Sequence, residues 1–193
     1  MGKISRNYIP FTNIAVGYSF ARRLQQYNIG LANFNFGYDW RASRKSQHLF
    51  TPAFLNFVQL ISADSAFLVQ LDQNPIQKRS FTNQLIFGSN YSFLYSNPST
   101  EGKVRDYTYL KSSMELTGNL AYLIGKIANI ETQPYELLGI PFAQYLRFDV
   151  DMRRYAYLTR KGTQSLIGRF VAGVGIPYGN SGVLPYVKQF FTG

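Results

Sequence analysis

Residues 147–153 read Arg-Phe-Asp-Val-Asp-Met-Arg, and every second one carries a charge. In a strand, Asp149 and Asp151 would leave on the same side, because successive side chains point to opposite faces. Two carboxylates that close could hold a metal or divide the acid and base roles of a hydrolase. Arg147 and Arg153 flank them, however, and no histidine stands nearby in sequence, so mutual charge compensation is the stronger reading. His48 is the single histidine and cysteine is absent, which leaves no histidine cluster, thiolate site or disulfide framework. Gly173 and Gly175 have a spacing seen in phosphate loops, but no helix pattern follows them. Small residues in a strand fit better with the close approach of another segment. Asn90-Tyr91-Ser92 spells a glycosylation acceptor within a strand pattern and carries little weight. No catalytic residue, metal ligand or cofactor site emerges, and the chain is expected not to be an enzyme.

The elements that must carry these residues are strands. Leu146, Phe148, Val150 and Met152 alternate with the charged row, which is the period-two signature of a two-faced strand. Six more segments read similarly, at roughly 11–21, 27–40, 48–60, 84–96, 107–119 and 165–176. In the second, Phe34, Phe36, Tyr38 and Trp40 oppose Asn33, Asn35, Gly37 and Asp39. Its early Ile29 and Leu31 have the other parity, which predicts a bulge near Ala32. Pro52 counts against a regular central strand at 48–60. Arg169 sits on the polar row of the last strand. Residues 41–47 and 159–164 read as short polar turns, and 97–106 as a moderate one. Two long inserts, 61–83 and 120–143, hold enough apolar residues to fold partly onto themselves. Antiparallel neighbours joined in this order put the long loops at one end and the short turns at the other. Outer-membrane barrels share that asymmetry, with long external loops. The strand lengths agree, since a tilted membrane strand needs about 9–11 residues, against about 5–6 for the commonest soluble strand.

Composition sets the limits. The 193 residues are 17 % aromatic and 16 % charged, which suits strands and argues against disorder. No run of eighteen apolar residues could form a transmembrane helix, and the start, MGKISRNYIPFTN, lacks the apolar core of a signal peptide. The net charge of +10 would permit nucleic-acid binding. Lys and Arg are nevertheless scattered in small groups without a recognition helix, so no nucleic-acid partner is expected.

In a wide barrel the outward row meets lipid and the inward row meets water. That assigns Leu146, Phe148, Val150 and Met152 to lipid, and Arg147, Asp149, Asp151, Arg153 and Arg169 to a lumenal charge ladder. Aromatics at strand ends, among them Tyr38, Trp40, Tyr95 and Tyr157, would mark the membrane interfaces. A soluble sandwich or lipocalin-like barrel, burying the same apolar row and binding a small apolar ligand, remains the inside-out alternative. Seven strands do not close a bacterial membrane barrel, which takes an even number from eight, and an open edge cannot face hydrocarbon. The chain is therefore expected to be all-β, with residues 1–193 a partial, single barrel domain continued on both sides.

A resemblance sharpens this. "RFVAGVGIPYGNSGVLPYVKQFFTG", Arg169 to Gly193, resembles the stretch leading into the conserved surface loop of the BamA/TamA family, the bacterial surface antigens. There a small-residue strand precedes a proline-aromatic stretch and a phenylalanine-glycine run, and the loop folds into the lumen. "FGYDW" (36–40), "ELTGN" (115–119) and "QYLRFDVD" (144–151) are similar to elements of the TamA-like branch. The family's Arg-Gly motif would lie beyond Gly193, and its N-terminal periplasmic domains are absent. The resemblance implies the middle of a sixteen-stranded outer-membrane barrel that inserts or exports other proteins. Outer-membrane lipids, client proteins and periplasmic assembly factors would be its partners. It also implies that Pro185, Tyr186, Lys188, Gln189, Phe190, Phe191 and Gly193 form the root of a lumen-plugging loop. A passive pore or transporter of similar architecture is the alternative.

Overall fold

The structure, a computed structural model, describes residues 9–97, 106–127, 135–159 and 163–190. In chain order the strands are β1 (Phe11–Arg23), β2 (Tyr27–Arg41), β3 (Ser46–Ala63), β4 (Gln84–Ser96) and β5 (Tyr107–Thr117). The two-residue strands β6 (Glu136–Leu137) and β7 (Ile140–Pro141) follow, then β8 (Tyr145–Tyr157) and β9 (Ser165–Pro177). Seven of them form one antiparallel sheet in the order β1-β2-β3-β4-β5-β8-β9, while β6 and β7 make a separate small hairpin. The large sheet is open: among the described residues β1 pairs with β2 alone and β9 with β8 alone.

The register carries single rows of side chains across the sheet. Arg147 lies opposite Glu115 and Gly175, Asp151 opposite Lys111 and Val171, and Arg153 opposite Tyr109 and Arg169. We call this the ladder face. On the other side Phe148 lies opposite Met114 and Val174, and Met152 opposite Leu110 and Phe170. Far across the sheet, Ile14 meets Phe36 and Val16 meets Phe34 on that same apolar face. Many of these side chains are uncovered, from Val16 at 79 % to Phe34 at 40 %. The accessible surface is 13294 Å², against about 9,300 Å² for a compact monomer of this mass. An open sheet with much of one apolar face uncovered contributes to the excess.

The connections sort by end. Among the described residues, 24–26, 64–83, 118–127, 135–144 and 178–190 gather at one end, the loop end, and 42–45, 97, 106, 158–159 and 163–164 at the other, the turn end. The long inserts contain helices that strand periodicity does not anticipate. Helix α1 (Ser65–Asp72) starts where the Asp64 carboxylate accepts from Ala66 N at 3.2 Å. Helix α2 (Pro75–Ser80) starts at Asn74, whose side chain accepts from Gln77 N at 3.2 Å. Each cap satisfies an amide that the first helical turn leaves unbonded. Helix α3 (Asn119–Ile127) follows β5 directly.

The main core lies on the ladder face at the loop end, where Tyr27, Ile29, Phe54, Val58 and Ile86 of the sheet meet Phe67, Leu71 and Phe81 of the first insert. A second cluster, Leu85, Ala121 and Phe142 with Leu55 and Phe57, occupies the apolar face at the same end. The register corrects one expectation and bears out another. No bulge occurs at Ala32, which pairs regularly with Phe57; the shifts fall at Asn28/Ile29 and Phe36/Tyr38. Ile29 and Leu31 have ladder-face parity because that face is apolar at this end, so no frame change is needed. Pro52 lies in a central strand, the 18-residue β3, but, as expected, in a stretch that is not regular. Its missing N–H falls in the irregular stretch between Thr51 and Phe54, where the ladder to β4 shifts register.

Candidate functional site: a returning segment on the charged face

β9 ends at Pro177, and residues 178–190 double back over the ladder face. A turn with Gly179 at φ +57° starts the reversal, and polar side chains hold it. Asn180 Nδ2 donates to the carbonyls of Tyr135 and Phe142, each at 2.8 Å, while its Oδ1 accepts from Tyr135 N at 2.7 Å. Gln144 N donates to Ser181 Oγ at 2.8 Å, and Gln144 Oε1 accepts from Asn180 N at 3.0 Å. The segment then sinks into the main core. Pro185 is fully buried, and Leu184, Tyr186 and Val187 pack on the cluster. Tyr186 stacks on Phe81 at 4.3 Å between centroids, and the Tyr27 hydroxyl donates to the Tyr186 hydroxyl at 2.7 Å. The hydrogen bond shared with Tyr27, and then burial, hold the Tyr186 phenol above its ordinary pKa.

A short 3-10 turn, Tyr186–Lys188, aims Lys188 at the sheet. Its Nζ lies 2.8 Å from Glu115 Oε1 and 3.0 Å from Oε2, with both side chains largely enclosed, 16 % and 8 % exposed. The Tyr145 hydroxyl donates to the same carboxylate, and the ammonium lies 5.0 Å from the centre of the Phe54 ring. Gln189 Nε2 donates to the Leu184 carbonyl at 3.2 Å, closing the segment on itself. Phe190 rests under the Arg147 guanidinium, 4.4 Å from ring centre to Cζ. The two glycines of β9 make room for this return. A Cβ on Gly173 would come within 2.5 Å of Phe190, and one on Gly175 would collide with Leu184.

The structure thus places Pro185, Tyr186, Lys188, Gln189 and Phe190 together against the sheet; Phe191 and Gly193 lie outside the described residues. It also brings Arg147, Asp149, Asp151, Arg153 and Arg169 onto one face, though unevenly. Asp151 is gripped from two sides, by Arg153 at 2.7 Å and Arg169 at 2.9 Å, each through two nitrogens. Arg147 and Asp149 stand 3.7 Å apart. Arg147 Nε is buried without a hydrogen-bond partner among the described residues. Beside it a groove of about 610 Å³ runs between Lys111, Arg147, Asp149, Asp151, Arg169 and Phe190. Among the described residues no three His, Cys, Asp or Glu side chains converge as metal ligands would.

Leu146, Phe148, Val150 and Met152 share the apolar face, Phe148 and Met152 exposed and the other two half-buried. Near the turn end of that face Trp40 stacks flat on His48, 5.1 Å apart, and His48 Nδ1 shares a hydrogen bond of 2.7 Å with the Tyr91 hydroxyl. Tyr157, grouped with these aromatics by its position at a strand end, falls instead on ladder-face parity, opposite Ser165.

Sequence reasoning missed the receiving half of the site: Glu115, Tyr145, Tyr27 and Phe81. One signal was present. Lys188 is the single cation in 180–190, and a cation drawn into a core needs an acid beside it. Glu115 is the single acid in the polar row of its strand. No protein-family model matches the chain, and neither the curated proteins nor the solved structures yield a significant match.

Proposed function

We propose that this chain is part of an outer-membrane β-barrel of the BamA/TamA type, which inserts client proteins into the outer membrane or exports them. Residues 178–190 would be the root of the loop that plugs the lumen. The return of that segment onto the charged face, pinned by Lys188 and Glu115, carries the reading. A passive wall needs no such intrusion, whereas a plug must be anchored to the wall it fills. Several other features support a membrane barrel. The apolar face is uncovered across strands of 11 to 18 residues. From β2 onward the longer connections lie at one end and the shorter ones at the other, and aromatic residues gather near the turn end. The edges β1 and β9, unpaired among the described residues, support a larger closed sheet, sixteen strands in the family, because hydrocarbon offers nothing to pair an edge. The groove beside Phe190, where Arg147 Nε has no partner among the described residues, is where more of the plug would lie. No chemistry by side chains is invoked, and the proposed partners are outer-membrane lipids, client proteins and periplasmic assembly factors.

Unpinning the segment in the full-length protein tests this. Glu115→Gln with Lys188→Met should leave the barrel in the outer membrane but reduce client insertion several-fold, in cells and in proteoliposomes. Unchanged client insertion with raised ion conductance would favour the passive pore. Recovery of the unmodified protein in the soluble fraction would favour the apolar-ligand carrier.

A further inference from the structure

Helix α3 (Asn119–Ile127) is built inside out. Ala121 and Gly125, one turn apart, are its buried residues, and Ala121, 2 % exposed, packs in the cluster with Leu85, Phe142 and Phe57. The large side chains point elsewhere. Leu120, Leu123, Ile124 and Ile127 follow the i, i+3, i+4, i+7 spacing of a single helix face, and they are 54, 52, 46 and 75 % exposed. A helix that met water on that side would bury its leucines and show its alanine. The sheet beneath shows the same inversion, and Leu55, Phe57 and Leu85, on which the helix cluster sits, belong to its apolar face.

The position is fixed as well. Gly118, at φ +78°, turns the chain off the end of β5 so tightly that a Cβ would lie 2.6 Å from the Ala143 carbonyl oxygen. Asn119 Oδ1 accepts from Gln144 Nε2 at 3.1 Å and from the Tyr178 hydroxyl at 2.8 Å. The helix is thereby pinned at the rim of the sheet, on the apolar side. The same insert holds a second oddity. Leu138 stands at the tip of the β6–β7 hairpin, 93 % exposed, with φ +56°. Left-handed backbone suits glycine or asparagine, and leucine is disfavoured there. An apolar side chain at a strained, bare tip has no role in water.

We propose that α3 is an interfacial helix, lying at the edge of the bilayer with Leu120, Leu123, Ile124 and Ile127 among the acyl chains of the lipid next to the barrel wall. This rests on the membrane reading above. Its occupant is lipid rather than protein because the exposed face continues the apolar exterior of the sheet. Its charge fits as well: Lys126 is its single ionisable residue apart from Tyr122, a cation at the level of lipid phosphates. Amphipathic helices of this kind bind in proportion to the apolar area they submerge.

Single cysteines report the position, since the chain has none of its own. Leu123→Cys, Ile127→Cys and Leu138→Cys would be labelled with bimane in the full-length protein, reconstituted in phosphatidylcholine vesicles. Phe148→Cys serves as the sheet reference and Gln73→Cys, in the exposed α1–α2 corner, as the water reference. Lipid brominated near the top of the acyl chain should quench labels 123 and 127 at least twofold more than label 73. Iodide in solution should show the opposite order. If 148 is quenched by bromolipid while 123 and 127 behave like 73, the helix faces water and the inference fails while the barrel reading stands. Labels 123 and 127 shielded from both quenchers would mean a protein cover, and would also overturn it. Loss of quenching at 148 too would remove the membrane reading itself.

Discussion

Glu115 decides the site at the level of single residues. Its carboxylate faces Lys188 and Tyr145 in a largely closed space, so removing one charge strands the other. Glu115→Gln should destabilise the protein by about 3–5 kcal/mol, because an unpaired buried charge is the costly outcome. Adding Lys188→Met should recover at least half of that loss. Urea unfolding of the two single variants and the double variant, with the coupling taken from the cycle, checks this; strict additivity would argue against a shared enclosure. Phe148→Arg and Asp149→Asn, adjacent but on opposite faces, make a second contrast. On the membrane reading the first costs about 2–4 kcal/mol and the second far less, measured by heat-modifiable migration of the refolded protein. Equal damage would refute the assignment of faces. The sequence displayed the ladder openly, since period two is visible in Arg147 to Arg153. It did not display the partner of Lys188, because a contact 73 residues away leaves no local trace.

Among the elements, β2 is the instructive case. Its change of parity looked like an inserted residue, yet the strand runs straight past Ala32. What changes is the surroundings: the ladder face is polar along most of its length and apolar where the loops close over it. A pattern read in one strand cannot distinguish a slipped frame from a changed neighbour. Ile29→Ala tests this, since it should cost about 2–5 kcal/mol as a buried truncation, whereas Ile14→Ala on the bare face should cost little in detergent. Similar denaturation midpoints for both would contradict the core described here. The strands themselves were legible because each alternates over ten or more residues. The helices of the inserts were not, since α1 and α2 have eight and six residues and short helices take their stability from packing.

For the whole molecule, the segregation of loops by end carries the topology. On the proposed reading, Gln73→Cys and Glu136→Cys, both exposed and polar positions of the long inserts, should react with an impermeant maleimide on intact cells. Arg44→Cys and Thr163→Cys should react after the envelope is opened, and the reverse pattern would invert the barrel. The order of the sheet was legible because every long strand pairs with its neighbours among the long strands in chain order. That simplicity makes the returning segment exceptional. Tyr27 and Tyr186 touch across 159 positions, while the strands zip up one hairpin at a time.

The order of assembly follows from that one contact. Sheet pairing can proceed strand by strand, because each new hairpin closes a loop between chain neighbours at small entropic cost. The apolar hollow formed by Tyr27, Ile29, Phe54 and Val58 stays unsealed until residues 184–187 dock on it, after its own strands have paired. The β2–β3 hairpin therefore waits for the segment after β9, and in that interval its apolar hollow is open to capture by chaperones or by other copies. A thiol at position 58 (Val58→Cys) should stay reactive through strand pairing and lose its reactivity late, in the same kinetic phase that buries Leu184. A thiol shielded as soon as β3 pairs with β4 would show that the first insert seals the hollow unaided.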